Sequence, residues 1–259
     1  MPQRTSYVQG TPCWVDLQTT DADGARAFYG DLFGWKYDDQ PMGDGNVYSI
    51  ALKDGGHVAA LSGQSADLVA AGAPPMWNTY LAVDDVDAAT ARASVAGGQV
   101  AMAPFDVPDA GRMSFVVDPA GAPIALWQAG NHIGATVVNE HGALIWSELT
   151  VPDPTVAIDF YQQVAGLTAQ SQDYGDGQYL TFSAGDRAVA GATSPRMAGV
   201  PPHWHVYFGA DNVAESAARA TALGGTVLAG PMDTPAGPMA TVRDPQGAVF
   251  SLFAVAGPE

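Results

Sequence analysis

The chain contains the same pattern twice. Trp14-Val15-Asp16-Leu17 returns as Trp146-Ser147-Glu148-Leu149, Phe28-Tyr29 as Phe160-Tyr161, and Gly34 as Gly166, all at one constant spacing. The spacing then shortens slightly, yet Trp77-Asn78-Thr79-Tyr80 still answers Trp204-His205-Val206-Tyr207, and Asp118-Pro119-Ala120-Gly121-Ala122 still answers Asp244-Pro245-Gln246-Gly247-Ala248. Matches that survive small length changes mean two copies of one supersecondary unit. The 259 residues therefore divide into an expected module 1–129 and a second module 130–259, each long enough for a core.

Charge narrows the partners. A formal net charge of −17 with only 10 Lys and Arg, none of them clustered, repels phosphate backbones and anionic headgroups, so neither nucleic acid nor membrane is expected as a partner. No apolar run approaches the roughly 18 residues of a spanning helix. Cys13 stands alone and the amino terminus lacks an apolar secretory core, which leads us to expect a cytoplasmic protein without internal disulfides. Beside Trp14, with no basic neighbour in sequence, Cys13 reads as a small packed residue rather than a nucleophile.

From Cys13 to Gln18 polar and apolar residues alternate, with Val15 and Leu17 on one face and Trp14, Asp16 and Gln18 on the other, the mark of a half-buried strand. Asp21 then supplies an N-cap, and Ala25, Phe28, Tyr29, Leu32 and Phe33 recur at helical spacing until Gly34. Strands are expected around Val47–Leu52, His57–Leu61 and Trp77–Val83, a loop over Ala66–Pro75, a helix from Asp84 to Ala96, and a hairpin turning at Asp118-Pro119-Ala120-Gly121. The half reads β-α-β-β, a loop, then β-α-β-β, and the second half repeats it, with Thr193–Pro202 as the matching loop. Such sheets have one face under helices and another that curls into a concavity.

An aromatic first strand, Asp21 followed by Phe28-Tyr29 and Leu32-Phe33-Gly34, Val83-Asp84-Asp85-Val86-Asp87, Gly97-Gly98 and Asp118-Pro119-Ala120-Gly121-Ala122 together resemble the vicinal oxygen chelate superfamily of glyoxalases, bleomycin-resistance proteins and extradiol dioxygenases. Gly10-Thr11-Pro12, Ala110-Gly111-Arg112-Met113 and His203-Trp204-His205-Val206-Tyr207-Phe208 narrow the resemblance to the actinobacterial subgroup of the mycobacterial 27-kDa antigen, whose members carry glyoxalase-like or hydroxylase labels. The resemblance implies an α+β fold: two tandem glyoxalase-like modules of paired βαβββ motifs, forming curved, barrel-like mixed sheets with helices outside. It also implies a divalent metal held by His, Gln or Glu, at positions that fall here on Trp14, Asn78 and Ala125 and on Trp146, His205 and Ser251. Of these only His205 is a strong ligand, so no metal or other cofactor is expected. A displaced divalent site built from Glu148, His205 and Asp16 is the alternative.

Strand alternation then assigns the groove linings. Trp14, Asp16, Gln18, Asn78, Tyr80 and Trp127 should line the first, and Trp146, Glu148, His205, Tyr207, Ser251 and Phe253 the second, with Tyr48 and Tyr179 on equivalent inner strands. Aromatic walls with a few polar groups suit a flat, partly apolar organic ligand. His205 and Glu148 are the expected acid/base pair, the carboxylate orienting the ring and raising its basicity, and Asp16 is the carboxylate of the other groove. Arg112 is a candidate clamp for a carboxylate or enolate, with an ion pair to a neighbouring acid as its plainer role.

The expected function is action on a small oxygen-rich or aromatic metabolite by metal-independent acid/base chemistry of isomerase, lyase or cyclase type. A binding protein that sequesters a drug or natural product is the alternative, and a metal-dependent glyoxalase-type lyase or hydroxylase comes third. With two fused modules, a monomer or a homodimer is expected.

Overall fold

The computed structural model describes residues 3–43, 45–173, 178–195 and 199–255. The first half runs β1 (Pro12–Thr19), α1 (Ala22–Phe33), β2 (Lys36–Gly43), β3 (Asn46–Lys53), β4 (Gly56–Gly63), α2 (Ala66–Ala70), β5 (Met76–Ala82), α3 (Val86–Val95), β6 (Gln99–Val107), β7 (Gly111–Val117) and β8 (Pro123–Ala129). The second runs β9 (Leu144–Thr150), a tight helical turn over Pro154–Ala157 leading into α4 (Ile158–Ala165), β10 (Thr168–Asp173), β11 (Gln178–Ala184), β12 (Arg187–Thr193), β13 (His203–Ala210), α5 (Val213–Ala222), β14 (Thr226–Thr234), β15 (Gly237–Arg243) and β16 (Val249–Ala254). Each half forms one mixed eight-stranded sheet, ordered β2-β3-β4-β1-β5-β8-β7-β6 and β10-β11-β12-β9-β13-β16-β15-β14.

The first helix forms where its punctuation demands. Asp21 accepts a hydrogen bond from Gly24 N, five apolar side chains point inward, and Gly34 ends the helix at φ 74°, a left-handed turn that glycine adopts without strain. Two differences from the sequence reading stand out. Ala66–Pro75 is not wholly loop, because the Ser65 side chain caps Leu68 N and starts the short α2. The edge strands β2 and β6 escape the alternation rule, since β6 has no inner face and its residues are largely exposed. In the matching loop Thr193–Pro202, residues 196–198 lie outside the described part.

The cores belong to neither half. Val15, Leu17, Phe28, Tyr29 and Phe33 of the first half pack with Val206, Phe208, Val213, Phe250 and Leu252 of the second. In the converse cluster, Leu81, Val86, Val116, Ile124 and Leu126 pack with Leu149, Phe160, Tyr161, Val164 and Trp204. Each half's helices thus lie between the two sheets, and their apolar faces are buried both against their own sheet and by the opposite half. The repeated Asp-Pro turn fastens this seam. Asp118 Oδ1 accepts from Ala120 N and Ala122 N while Oδ2 accepts from Tyr161 Oη at 2.9 Å. Asp244 does the same with its own turn and with Tyr29 Oη at 3.0 Å. Trp77 and Trp204 complete the arrangement by donating to Tyr29 and Tyr161.

Candidate functional site

With Val15 and Leu17 committed to the seam, alternation turns Trp14 and Asp16 to the opposite, concave face. Trp14 Nε1 donates to Tyr48 Oη at 2.8 Å, and Tyr48 Oη donates to Asp16 Oδ2 at 3.1 Å. Asp16 also accepts from Tyr80 Oη at 2.6 Å and from Asn78 Nδ2, directly opposite it on β5, at 2.8 Å. Burial pushes the carboxyl upward in pKa, and the bonds from Tyr80, Asn78 and Tyr48 oppose that rise. Gln18 lies on the same face and is half-buried.

This first groove is covered. The linker between the halves returns over it, setting the His132 ring edge-on against Trp14 at 4.6 Å and taking a hydrogen bond from Trp127 Nε1 on its carbonyl. His57 stands 5.5 Å from His132. Burial, with His57 nearby, lowers the His132 imidazole to about 4. Trp14 and Asp16 are each only 3% exposed. A hollow of about 260 Å³ lies beside the linker, lined by Tyr7, Ala82, Trp127 and Ile133, and does not reach the groove's carboxylate.

The second groove keeps part of this pattern. Trp146 Nε1 donates to Tyr179 Oη at 3.1 Å, and Tyr207 Oη donates to Glu148 Oε1 at 2.9 Å, repeating the Trp14–Tyr48 and Tyr80–Asp16 bonds. Gly191 allows the first of these, because a Cβ there would overlap Tyr179 Oη. Trp146, Glu148, His205 and Phe253 are only partly buried. The Tyr207 ring lies 5.0 Å from His205 and 6.4 Å from Phe253.

Three expectations need correction. His205 and Glu148 face each other across β13 and β9, but His205 Nε2 is hydrogen-bonded to Ser251 Oγ at 2.8 Å, and Ser251 Oγ meets Thr241 Oγ1 at 3.0 Å. Burial, with His203 nearby, lowers the imidazole to about 3, so the ring is neutral near pH 7 rather than made more basic. Arg112 does not enter the groove. On β7 the inner-face residues are Met113 and Phe115, and Arg112 turns to the helix side, gripping Asp87 with two nitrogens at 2.8 and 2.9 Å and Asp106 with a third at 2.9 Å. The displaced metal set also fails to assemble, since Asp16 opens into one groove and Glu148 and His205 into the other. Among the described residues no three His, Cys, Asp or Glu come together.

The positions implied for the superfamily's metal fit it no better. They offer two indoles, an amide, a methyl and a hydroxyl, and the one imidazole already holds Ser251. Cys13 is fully buried and burial pushes its thiol upward in pKa, as suits a packing residue. Sequence reasoning missed Thr241 and set His132 apart as a linker residue with little expected role. Alternation back from Ala240, which faces the seam, would have placed Thr241 in the groove, whereas His132 lies in an irregular linker with no periodic signal.

The model of the Glyoxalase/Bleomycin resistance protein/Dioxygenase superfamily matches residues 12–126 and again 134–252. The chain is 53% identical over 98% of its length, and 98% of the relative's, to the Mycobacterium bovis protein named "Putative glyoxylase CFP32". It is 36% identical to the Streptomyces peucetius anthracycline biosynthesis protein DnrV, covering 96% of this chain and 94% of that one. In fold it resembles the Mn(II)-bound glyoxalase of Novosphingobium aromaticivorans, with a TM-score of 0.69 at 20% identity over 97% of this chain and 84% of that one. Two modules, two matches to one family model and a half-identical relative over nearly the full length agree: the chain belongs to the Glyoxalase/Bleomycin resistance protein/Dioxygenase superfamily.

Proposed function

We propose that the second groove takes a small, oxygen-rich or aromatic metabolite and moves a proton on it, in an isomerisation or a related lyase or cyclisation step, without a metal. The observation that carries this reading is a half-open groove holding a carboxylate and a neutral imidazole on facing strand positions between aromatic walls. Glu148 is then the base that removes a proton next to a carbonyl, and the same carboxyl returns it at another atom, so the step balances without an oxidant or reductant. His205, being neutral, acts as a hydrogen-bond donor to the carbonyl oxygen as charge develops there. Trp146, Tyr179, Tyr207 and Phe253 supply faces for a planar ligand. A relative named for anthracycline biosynthesis supports a multi-ring, oxygen-bearing ligand.

The aromatic walls also favour a second reading, sequestration, which needs stacking and shape alone. Screening planar hydroxylated ketones for turnover separates the two. The expected result is conversion that falls about 100-fold in E148Q and in H205A, as removal of a positioned acid or base does. A ligand that binds and is recovered unchanged favours sequestration. Turnover that requires a stoichiometric metal removes the metal-independent mechanism.

A further inference from the structure

The two halves of the chain provide an internal control on the second groove. At matching places on three strands, the first half has Asn78, Ala125 and Phe115 where the second has His205, Ser251 and Thr241. The backbone registers confirm the correspondence. Tyr80 pairs with Ala125 and Phe115 with Ala125 in one sheet; Tyr207 pairs with Ser251 and Thr241 with Ser251 in the other. Where one groove has an amide, a methyl and a phenyl, the other has an imidazole and two hydroxyls. Ser251 is fully buried, and its Oγ lies between His205 Nε2 and Thr241 Oγ1, at 2.8 and 3.0 Å.

We propose that Ser251, backed by Thr241, is a positioning pair that locks His205 as the neutral tautomer protonated on Nδ1. A serine has one proton to give. If Thr241 donates to Ser251 and Ser251 donates to Nε2, the surplus donor is the Nδ1–H of the imidazole, which has no hydrogen-bond partner among the described residues. A ligand oxygen in the half-open groove can accept it. Running the protons the other way leaves the surplus donor on Thr241, on a different strand from the ring that faces Glu148. The imidazole is thereby held as a donor at a fixed angle, a geometry the first groove does not possess. This assignment rests on the proton-transfer reading of the same groove for its purpose, but not for its test.

The test is long-range proton–nitrogen NMR of the uniformly labelled, ligand-free protein, with the His205 signals assigned by their loss in H205Q. The expected spectrum has a pyridine-type Nε2 and a pyrrole-type Nδ1, unchanged between pH 8 and 5. In S251A, which restores the residue of the first half, the tautomers should mix; in S251T, which keeps the hydroxyl, the lock should persist, and T241V should weaken it. A protonated Nε2 in the unaltered protein, or a spectrum indifferent to S251A, overturns the assignment. Once a substrate is known, S251A should lower kcat about 10-fold with little change in KM. A locked tautomer with turnover unaffected by H205A would leave the positioning intact and remove the reaction proposed above.

Discussion

The first and second grooves share a frame and differ in what the frame holds. In both, a tryptophan on the opening strand donates to a tyrosine, and a second tyrosine donates to a carboxylate two residues past that tryptophan. Asn78 and Tyr48 add two more hydrogen bonds around Asp16, and the linker lies over the groove's tryptophan. Around Glu148 the facing residue is an imidazole bonded elsewhere, and the walls stay half open. The difference shows that a duplicated site changes character through a few facing positions and a cover, with the strands and their pairing untouched.

The comparison breaks first on stability. Asp16→Ala strands three donors in a buried place and should lower unfolding free energy by about 3 kcal/mol, more than Glu148→Ala, whose carboxylate is only partly buried. Urea denaturation of both variants checks this, and equal losses would mean the two carboxylates are held alike. At the seam, where the halves are related symmetrically, the expectation reverses. Tyr29→Phe and Tyr161→Phe each remove two buried hydrogen bonds, one to a turn aspartate and one from a tryptophan, and should cost about 2–3 kcal/mol, with near-equal values.

Acidity sharpens the contrast between the rings. His205 is lowered to about 3 and His132 to about 4, whereas a free imidazole titrates near 6.5. Above about 6.5 neither ring affects stability; below it the unfolded chain binds protons that the folded chain refuses, so stability falls as pH drops toward 4. Each histidine contributes at most about 1.4 kcal/mol per pH unit to that slope, and His132→Gln and His205→Gln should each flatten it when urea midpoints are compared at pH 7 and 5. The smallest expected effect is at Arg112, on the helix side of β7. Arg112→Gln should leave ligand binding within about two-fold by isothermal titration, because the guanidinium serves Asp87 and Asp106 outside the groove.

Much of the fold was legible because duplication repeats the same punctuation. Asp21, Gly34 and the Asp-Pro turns mark element ends in both halves, and alternation on β1, β5, β9 and β13 assigned faces to Trp14, Asp16, Glu148 and His205. Where an inner face is missing, the signal goes too: β2 and β6 are edge strands rich in exposed residues and were not read as strands. For Arg112 the plainer of its two sequence readings, an ion pair to neighbouring acids, is the one that forms, because the pleat turns it away from the groove. The partner of His205 was illegible for another reason. Glu148 faces His205 across one strand and Ser251 lies within reach on the strand at its other side, so only the ring's orientation decides between them. That the Asp-Pro turns reach across to tyrosines of the opposite half was also hidden, since nothing local announces a contact so distant in the chain.

Because the aromatic residues beneath each sheet are enclosed by the other, the polypeptide has one melting event to offer rather than a pair. Whatever occupies a single groove must therefore shift the unfolding temperature of the entire molecule, and a thermal-shift screen will report a hit wherever it lands. Cleavage at the connecting segment should yield halves that need each other in solution, re-forming in trans the seam they share in the intact chain.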